Sequence, residues 1–132
     1  MRFALTEEQK GIKKVARELA EEEFPRTWEE HYDKRAFPEK IWKKACELGL
    51  TGVTVSERYG GSELGILDEI LIIEEFQRIN PRIATFINFA TYGNQIIEKF
   101  GTEEQKEAYL PPIVKGEKTL SSTLFSEEID PP

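Results

Sequence analysis

A chain of 132 residues with a formal charge of −7, from 18 Lys and Arg against 25 Asp and Glu, is one domain by length and buries roughly two-thirds of its unfolded surface at this size. The acidic balance argues against nucleic acid, whose phosphates need a basic stripe, and a single thiol, Cys46, excludes an internal disulfide and a thiolate-rich metal site. No apolar run reaches the roughly 18–20 residues of a membrane span. The opening MRFALTEEQK has neither an apolar core nor a small-residue cleavage site, so a cytoplasmic protein with no membrane partner is expected.

The elements follow in chain order. Thr6 and Gln9 form a capping box ahead of a helix whose first turn carries Glu7 and Glu8, at the positive end of its dipole. Ile12, Val15, Ala16, Leu19 and Ala20 give that helix one apolar stripe. Pro25 is expected to disrupt it, leaving residues 28–34 as a short second helix or a continuation. Phe37-Pro38 opens the next helix, with a stripe of Ile41, Trp42, Ala45 and Leu48 and a stop at Gly49. Cys46 falls inside this pattern as a small buried hydrophobe. Residues 51–55 read as a short extended piece, followed by a loop through Tyr59-Gly60-Gly61.

A helix over 67–79, apolar at Leu67, Ile70, Leu71, Ile73 and Phe76, ends at Asn80-Pro81. Residues 82–100 are apolar on most sides and predict one central, buried helix stopped by Gly101. Thr102 and Gln105 repeat the capping box for a last helix, and Gly116 closes it. Residues 119–126 (TLSSTLFS) are β-rich and read as one strand with no partner in the chain. The expected fold is therefore all-α, with five or six helices in a bundle-like domain over 1–118. Residues 119–132 would be the start of a truncated β-domain strand and its tail.

Chemistry is sparse in the motifs. GxGxxG, P-loop, HExxH and GxSxG are all absent. His31 lies in the charged run EEHYDKR and reads as a solvated surface residue. Glu21-Glu22-Glu23 and Glu74-Glu75 fit helix faces, and no carboxylate stands out as a base.

Four segments nevertheless occur in a distinctive order: LTEEQ (5–9), FPEKIWKKACELGLTGVTVSERYGGSELG (37–65), IIEEFQRI (72–79) and FGTEEQKEAYLPPIVKGEK (100–118). Together they resemble the N-terminal helical domain of flavin-dependent acyl-CoA dehydrogenases, collinearly and over nearly the whole chain. The resemblance implies a subunit with two further domains, which oxidises the α,β bond of an acyl-CoA thioester. In it a carboxylate removes the α-proton and FAD accepts the hydride. The family's catalytic carboxylate lies beyond this domain, so no catalytic residue is assigned here.

Two sets of site residues follow from the resemblance. Thr123, Phe125 and Ser126 match the family's flavin-contacting strand, Ser126 at the flavin-contact position. Glu128 then replaces the motif's proline, and Ile129 to Pro132 replace its small-residue loop. Ala84, Thr85, Asn88, Phe89 and Tyr92 match the helix face that lines the acyl pocket, where Phe89 and Tyr92 would shorten it. Read from the residues alone, Phe86, Phe89 and Tyr92 could equally fill a core between helices. The implied partners are acyl-CoA, a second copy of the chain, or a chain carrying the remaining dehydrogenase domains. Two rival readings are a non-catalytic interaction module and a small acyl-CoA- or lipid-binding bundle without flavin.

Overall fold

The computed structural model describes residues 4–31 and 36–120. It contains six α-helices: α1 (Glu7–His31), α2 (Glu39–Glu47), α3 (Ile66–Ile79), α4 (Pro81–Thr91), α5 (Asn94–Phe100) and α6 (Glu103–Val114), with a 3-10 turn at Glu57–Tyr59 between α2 and α3. Among the described residues there is no strand. Thr119 and Leu120 are irregular, and the rest of the expected strand lies outside the described residues.

Both capping boxes form. Thr6 Oγ1 accepts from Gln9 N at 3.1 Å while Gln9 Oε1 accepts from Thr6 N at 3.0 Å, and Thr102 and Gln105 do the same at 3.3 and 2.8 Å. Each pair satisfies two N–H groups that a helix start leaves without partners.

The longest helix corrects one expectation. α1 runs through Pro25 without a break. Proline removes one backbone hydrogen bond and crowds the preceding turn, at a cost of about 3 kcal/mol. Here Pro25 sits on the exposed side, while Phe24 and Thr27 on either side of it are buried. Phe24 packs its ring against Phe76 of α3, centroids 5.2 Å apart. The core contact therefore continues past the proline and offsets the lost bond.

The main core gathers Ala16, Leu19, Ala20 and Phe24 of α1 with Ile41, Trp42 and Ala45 of α2. Ile72 and Phe76 of α3 and Ile83, Ala84, Ile87 and Ala90 of α4 complete it. Cys46 is buried there as expected, and burial pushes its thiol above the ordinary cysteine range, which makes it a poor nucleophile. Leu48, expected in the α2 stripe, is exposed instead because α2 ends at Glu47. A second, smaller cluster joins Val55 and Tyr59 to Leu110 and Val114 of α6.

Residues 51–55 are not extended; they form bends and turns. Val55 N donates to Gly52 O at 3.3 Å, and the returning chain pairs with the same segment through Leu64 N to Val53 O (2.8 Å) and Glu63 N to Val55 O (2.9 Å). Gly61 allows that return, since a Cβ there would stand 2.0 Å from Val55 O.

The expected single helix over 82–100 is two helices, α4 and α5, separated at Tyr92-Gly93. Asn80 starts α4, its Oδ1 accepting from Arg82 N and Ile83 N at 3.1 and 3.2 Å. At the break, Leu120 lies over Gly93, with its Cδ1 2.9 Å from where a Cβ would be. Leu120 N also donates to Ala90 O at 3.0 Å. Nor is this stretch central: only one face of α4 is buried.

Candidate functional site: the uncovered face of helices 3 to 6

From Ile83 to Ile97 no residue is charged, in a chain that is 33% charged overall. A third of that run is explained by burial. Ile83, Ala84, Ile87 and Ala90 face α1 and α3 in the core. Another third faces outward, including Phe86, Phe89 and Tyr92, continued on α5 by Ile96 and Phe100, with exposures of 58% at Phe89, 50% at Tyr92 and 75% at Phe100. Scattered exposed apolar residues are ordinary, but a contiguous set of large ones marks a surface meant to be covered.

Neighbouring helices extend the face. Ile66, Leu67 and Ile70 of α3 are exposed, where Leu67 and Ile70 had been expected in the core stripe. Gln95 Nε2 donates to Glu69 Oε2 at 2.8 Å and so ties α5 to α3. Partial burial holds the Glu69 carboxyl above its usual range, and the Gln95 bond works against that shift. Between α5 and α6 lies a groove of about 380 Å³ lined by Ile96, Ile97, Phe100, Gly101, Gln105, Tyr109 and Leu120.

Of the residues expected to face an acyl group, four share one side of α4 and its C-terminal end: Thr85, Asn88, Phe89 and Tyr92. Their spacing of three, four and seven residues puts them on one helical stripe. The Phe89 and Tyr92 rings touch at a tilt of 57°, centroids 6.3 Å apart. The Thr85 hydroxyl is committed to its own helix, donating to Pro81 O at 2.7 Å. Ala84, one turn before Asn88, is not exposed with them; it is fully buried at the core edge of the same stripe. Thr123, Phe125 and Ser126 lie outside the described residues.

The loop before α3 is fastened beside this face by polar contacts. Ser56 Oγ donates to Glu98 Oε1, Arg58 pairs with Glu103 and Glu107 at 2.9 Å each, and the Tyr59 hydroxyl donates to Glu103 at 3.0 Å. The Lys106 ammonium, and then the Tyr59 bond, hold the Glu103 carboxyl below its ordinary range.

One residue of the acidic clusters read as helix-face residues turns out to be buried. Glu75 is 1% exposed, whereas Glu74 is exposed. Glu75 is held by Arg17 Nε (2.7 Å), Lys13 Nζ (3.0 Å) and Arg78 Nη1 (3.6 Å). The Arg17 hydrogen bond chiefly, against the cost of burial, brings its pKa down to about 2. A signal was present in the sequence: Glu75 continues the stripe Leu71, Ile72, Phe76, so the register that buries Phe76 buries Glu75 with it. His31 is half-buried with Nδ1 3.0 Å from Thr27 O of its own helix. Among the described residues no group of three His, Cys, Asp or Glu side chains is placed to hold a metal, and no helix is long and apolar enough to cross a membrane.

The sequence profile of the acyl-CoA dehydrogenase N-terminal domain matches residues 6–117. The chain belongs to the acyl-CoA dehydrogenase family, within which it corresponds to the N-terminal helical domain. It is 40% identical over 116 residues to an acryloyl-CoA reductase (NADH) of Anaerotignum propionicum, a match covering 88% of this chain and 29% of that protein. The butyryl-CoA dehydrogenase structure of Megasphaera elsdenii superposes with a TM-score of 0.79 at 32% identity, over 90% of this chain and 32% of that one. A Bacillus anthracis acyl-CoA dehydrogenase solved with FAD gives a TM-score of 0.78 at 34% identity, over 87% of this chain and 20% of that one. The chain thus spans about 30% of the curated relatives it matches.

Proposed function

We propose that this chain supplies the substrate-covering domain of an FAD-dependent acyl-CoA dehydrogenase, which oxidises the α,β bond of an acyl-CoA thioester. The observation that carries the reading is the uncharged run from Ile83 to Ile97, a third of it exposed, in a domain that matches the family over residues 6–117. A charge-free wall excludes water from a reacting thioester and provides a low-dielectric lining for its hydrocarbon part.

In this reading Thr85, Asn88, Phe89 and Tyr92 face the acyl group, while Ala84 serves the core beneath them. Ile96, Phe100, Tyr109 and the α3 residues Ile66 and Ile70 receive the remaining dehydrogenase domains or a second copy of the chain. When bound, FAD supplies the hydride-accepting chemistry, and Thr123, Phe125 and Ser126 are the residues proposed to meet it. The described residues contribute no base and no phosphate cradle. Their task is positioning and exclusion of water. Two relatives, an acryloyl-CoA reductase and a butyryl-CoA dehydrogenase, are named for small acyl groups, which favours a small acyl group here.

Calorimetric titration of the purified chain with butyryl-CoA, and separately with FAD, tests this. Binding of butyryl-CoA that is lost on substituting Asn88 and Phe89 supports the acyl-facing assignment. A folded chain that binds neither ligand would overturn it and favour an interaction module built on the same helices.

A further inference from the structure

We infer that two copies of this chain meet through the uncovered face of α3 and α5, held in register by reciprocal ion pairs from Glu69 of one copy to Lys99 of the other. The inference rests on the reading of Ile66, Ile70, Ile96 and Phe100 as a surface that is covered; it commits the cover to a second copy and adds the register. Beside those apolar residues stand two charges with no opposite charge of their own. Glu69, next to Ile70 on α3, is half-buried. The one hydrogen bond to its carboxylate among the described residues comes from a neutral group, Gln95 Nε2 at 2.8 Å. Burial holds that carboxyl above its ordinary range, so a neighbouring cation would relieve it. Lys99 is exposed, and its ammonium lies 5.4 Å from the centre of the Phe100 ring, with no carboxylate in ion-pair contact among the described residues. The neighbouring charges are already engaged. Asp68 accepts from Gly65 N at 3.0 Å, Glu98 accepts from the Ser56 hydroxyl, and Lys106 pairs with Glu103 at 3.0 Å.

Gln95 and Lys99 are four residues apart, so they share one side of α5, about 6 Å apart along its axis. Gln95 holds Glu69, which places the anion and the cation on one face about a turn apart. A two-fold axis passing between them carries each Lys99 onto the Glu69 of the other copy. The face is then complementary to itself: opposite charges meet twice, and Ile66, Ile70, Ile96 and Phe100 enclose them. Apolar area alone lets one copy slide over the other. Charges that meet inside it are screened less by salt than exposed ones, and they select one register and reject like-charged arrangements.

The test is sedimentation equilibrium on the whole chain, with a circular-dichroism melt of each variant to check that the fold is kept. Glu69→Lys sets cation against cation in the pair, and Lys99→Glu sets anion against anion. Each variant alone should dimerise at least about tenfold more weakly than the parent. Mixed in equal amounts, the two should regain most of the parent's association, because both contacts then join opposite charges. A loss caused within one chain would not be rescued by mixing. A mixture that associates no better than either variant alone overturns the inference; if Ile96→Glu/Phe100→Glu still dissociates the parent's dimer, the reading of the face as a covered surface stands without it. A parent that is monomeric at every concentration overturns the inference too, and leaves the remaining dehydrogenase domains as the cover. A dimer that survives Ile96→Glu/Phe100→Glu is formed elsewhere, and both the inference and that reading of the face fall.

Discussion

Arg17 Nε donates to Glu75 Oε2 at 2.7 Å, joining the first and third helices through a carboxylate that is 1% exposed. Lys13, one helical turn earlier, meets the other oxygen at 3.0 Å. A buried carboxylate is costly unless ionic and hydrogen-bonding partners surround it. This one has cations from both helices, including Arg78 of its own.

The pH dependence follows from that arrangement. The ordinary carboxyl value is 4.5 and the folded value is about 2, so the folded state binds the proton more weakly than the unfolded chain. Stability from Glu75 is fully present above the ordinary value and is lost as pH falls from about 4.5 toward 2. The contribution is on the order of 3 kcal/mol at neutral pH. Thermal melts between pH 7 and pH 2.5 should show that loss, with the Glu75→Gln variant less stable at pH 7 and flatter across the range. Equal slopes for the two proteins would remove Glu75 as the cause.

Arg17→Met should cost about 2–4 kcal/mol, since it leaves a buried negative charge with fewer partners. Glu75→Gln/Arg17→Met should cost much less than the sum of the single changes, because the charge and its lost partner disappear together. Urea denaturation of all four proteins measures the coupling. Additive costs would mean that the two side chains act independently.

Much of the fold could be read from the sequence where local chemistry decides. Thr6 with Gln9 and Thr102 with Gln105 are complete signals within four residues, and both helix starts form as the residues direct; Asn80-Pro81, which reads from the sequence as the end of α3, also caps the start of α4. The errors arose where distant contacts decide. Pro25 looked like a break because its cost is local, while the compensating Phe24–Phe76 contact is not. The run 82–100 looked buried because an all-round apolar helix is the usual mark of a core. The same pattern arises when the covering surface belongs to something else. Glu75 reads as an ordinary helix-face acid because two of its three cations, Lys13 and Arg17, are distant in sequence. The stripe carrying Thr85, Asn88, Phe89 and Tyr92 was legible only through family resemblance, and helical periodicity alone could not separate it from Ala84.

Gly61→Ala should be among the most damaging single-methyl additions. Its Cβ would stand 2.0 Å from Val55 O and 2.5 Å from Val55 C, the carbonyl that accepts from Glu63 N at 2.9 Å within the loop. A loss of about 3 kcal/mol or more is expected in urea denaturation. The equivalent change at Gly11, which has nothing within 4 Å, lies inside α1 and should stabilise by up to about 1 kcal/mol. If Gly61→Ala melts like the parent, the loop has another way to return across residues 53–55.

The uncovered face should also govern how the chain behaves in solution. Phe100 is 75% exposed and Ile96 55% exposed, and both line the α5–α6 groove with Tyr109 and Leu120. Adjacent apolar area of this kind drives association when no other domain covers it. Sedimentation velocity at micromolar concentration should therefore show a dimer or larger species. Ile96→Glu/Phe100→Glu should shift it toward monomer, because two like charges would then face their copies across the contact. Lys14→Glu, on the exposed side of α1, serves as the charge control and should leave association unchanged. A monomer at every concentration would mean that this face does not pair with a second copy, and would leave the remaining dehydrogenase domains as the surface it is proposed to meet.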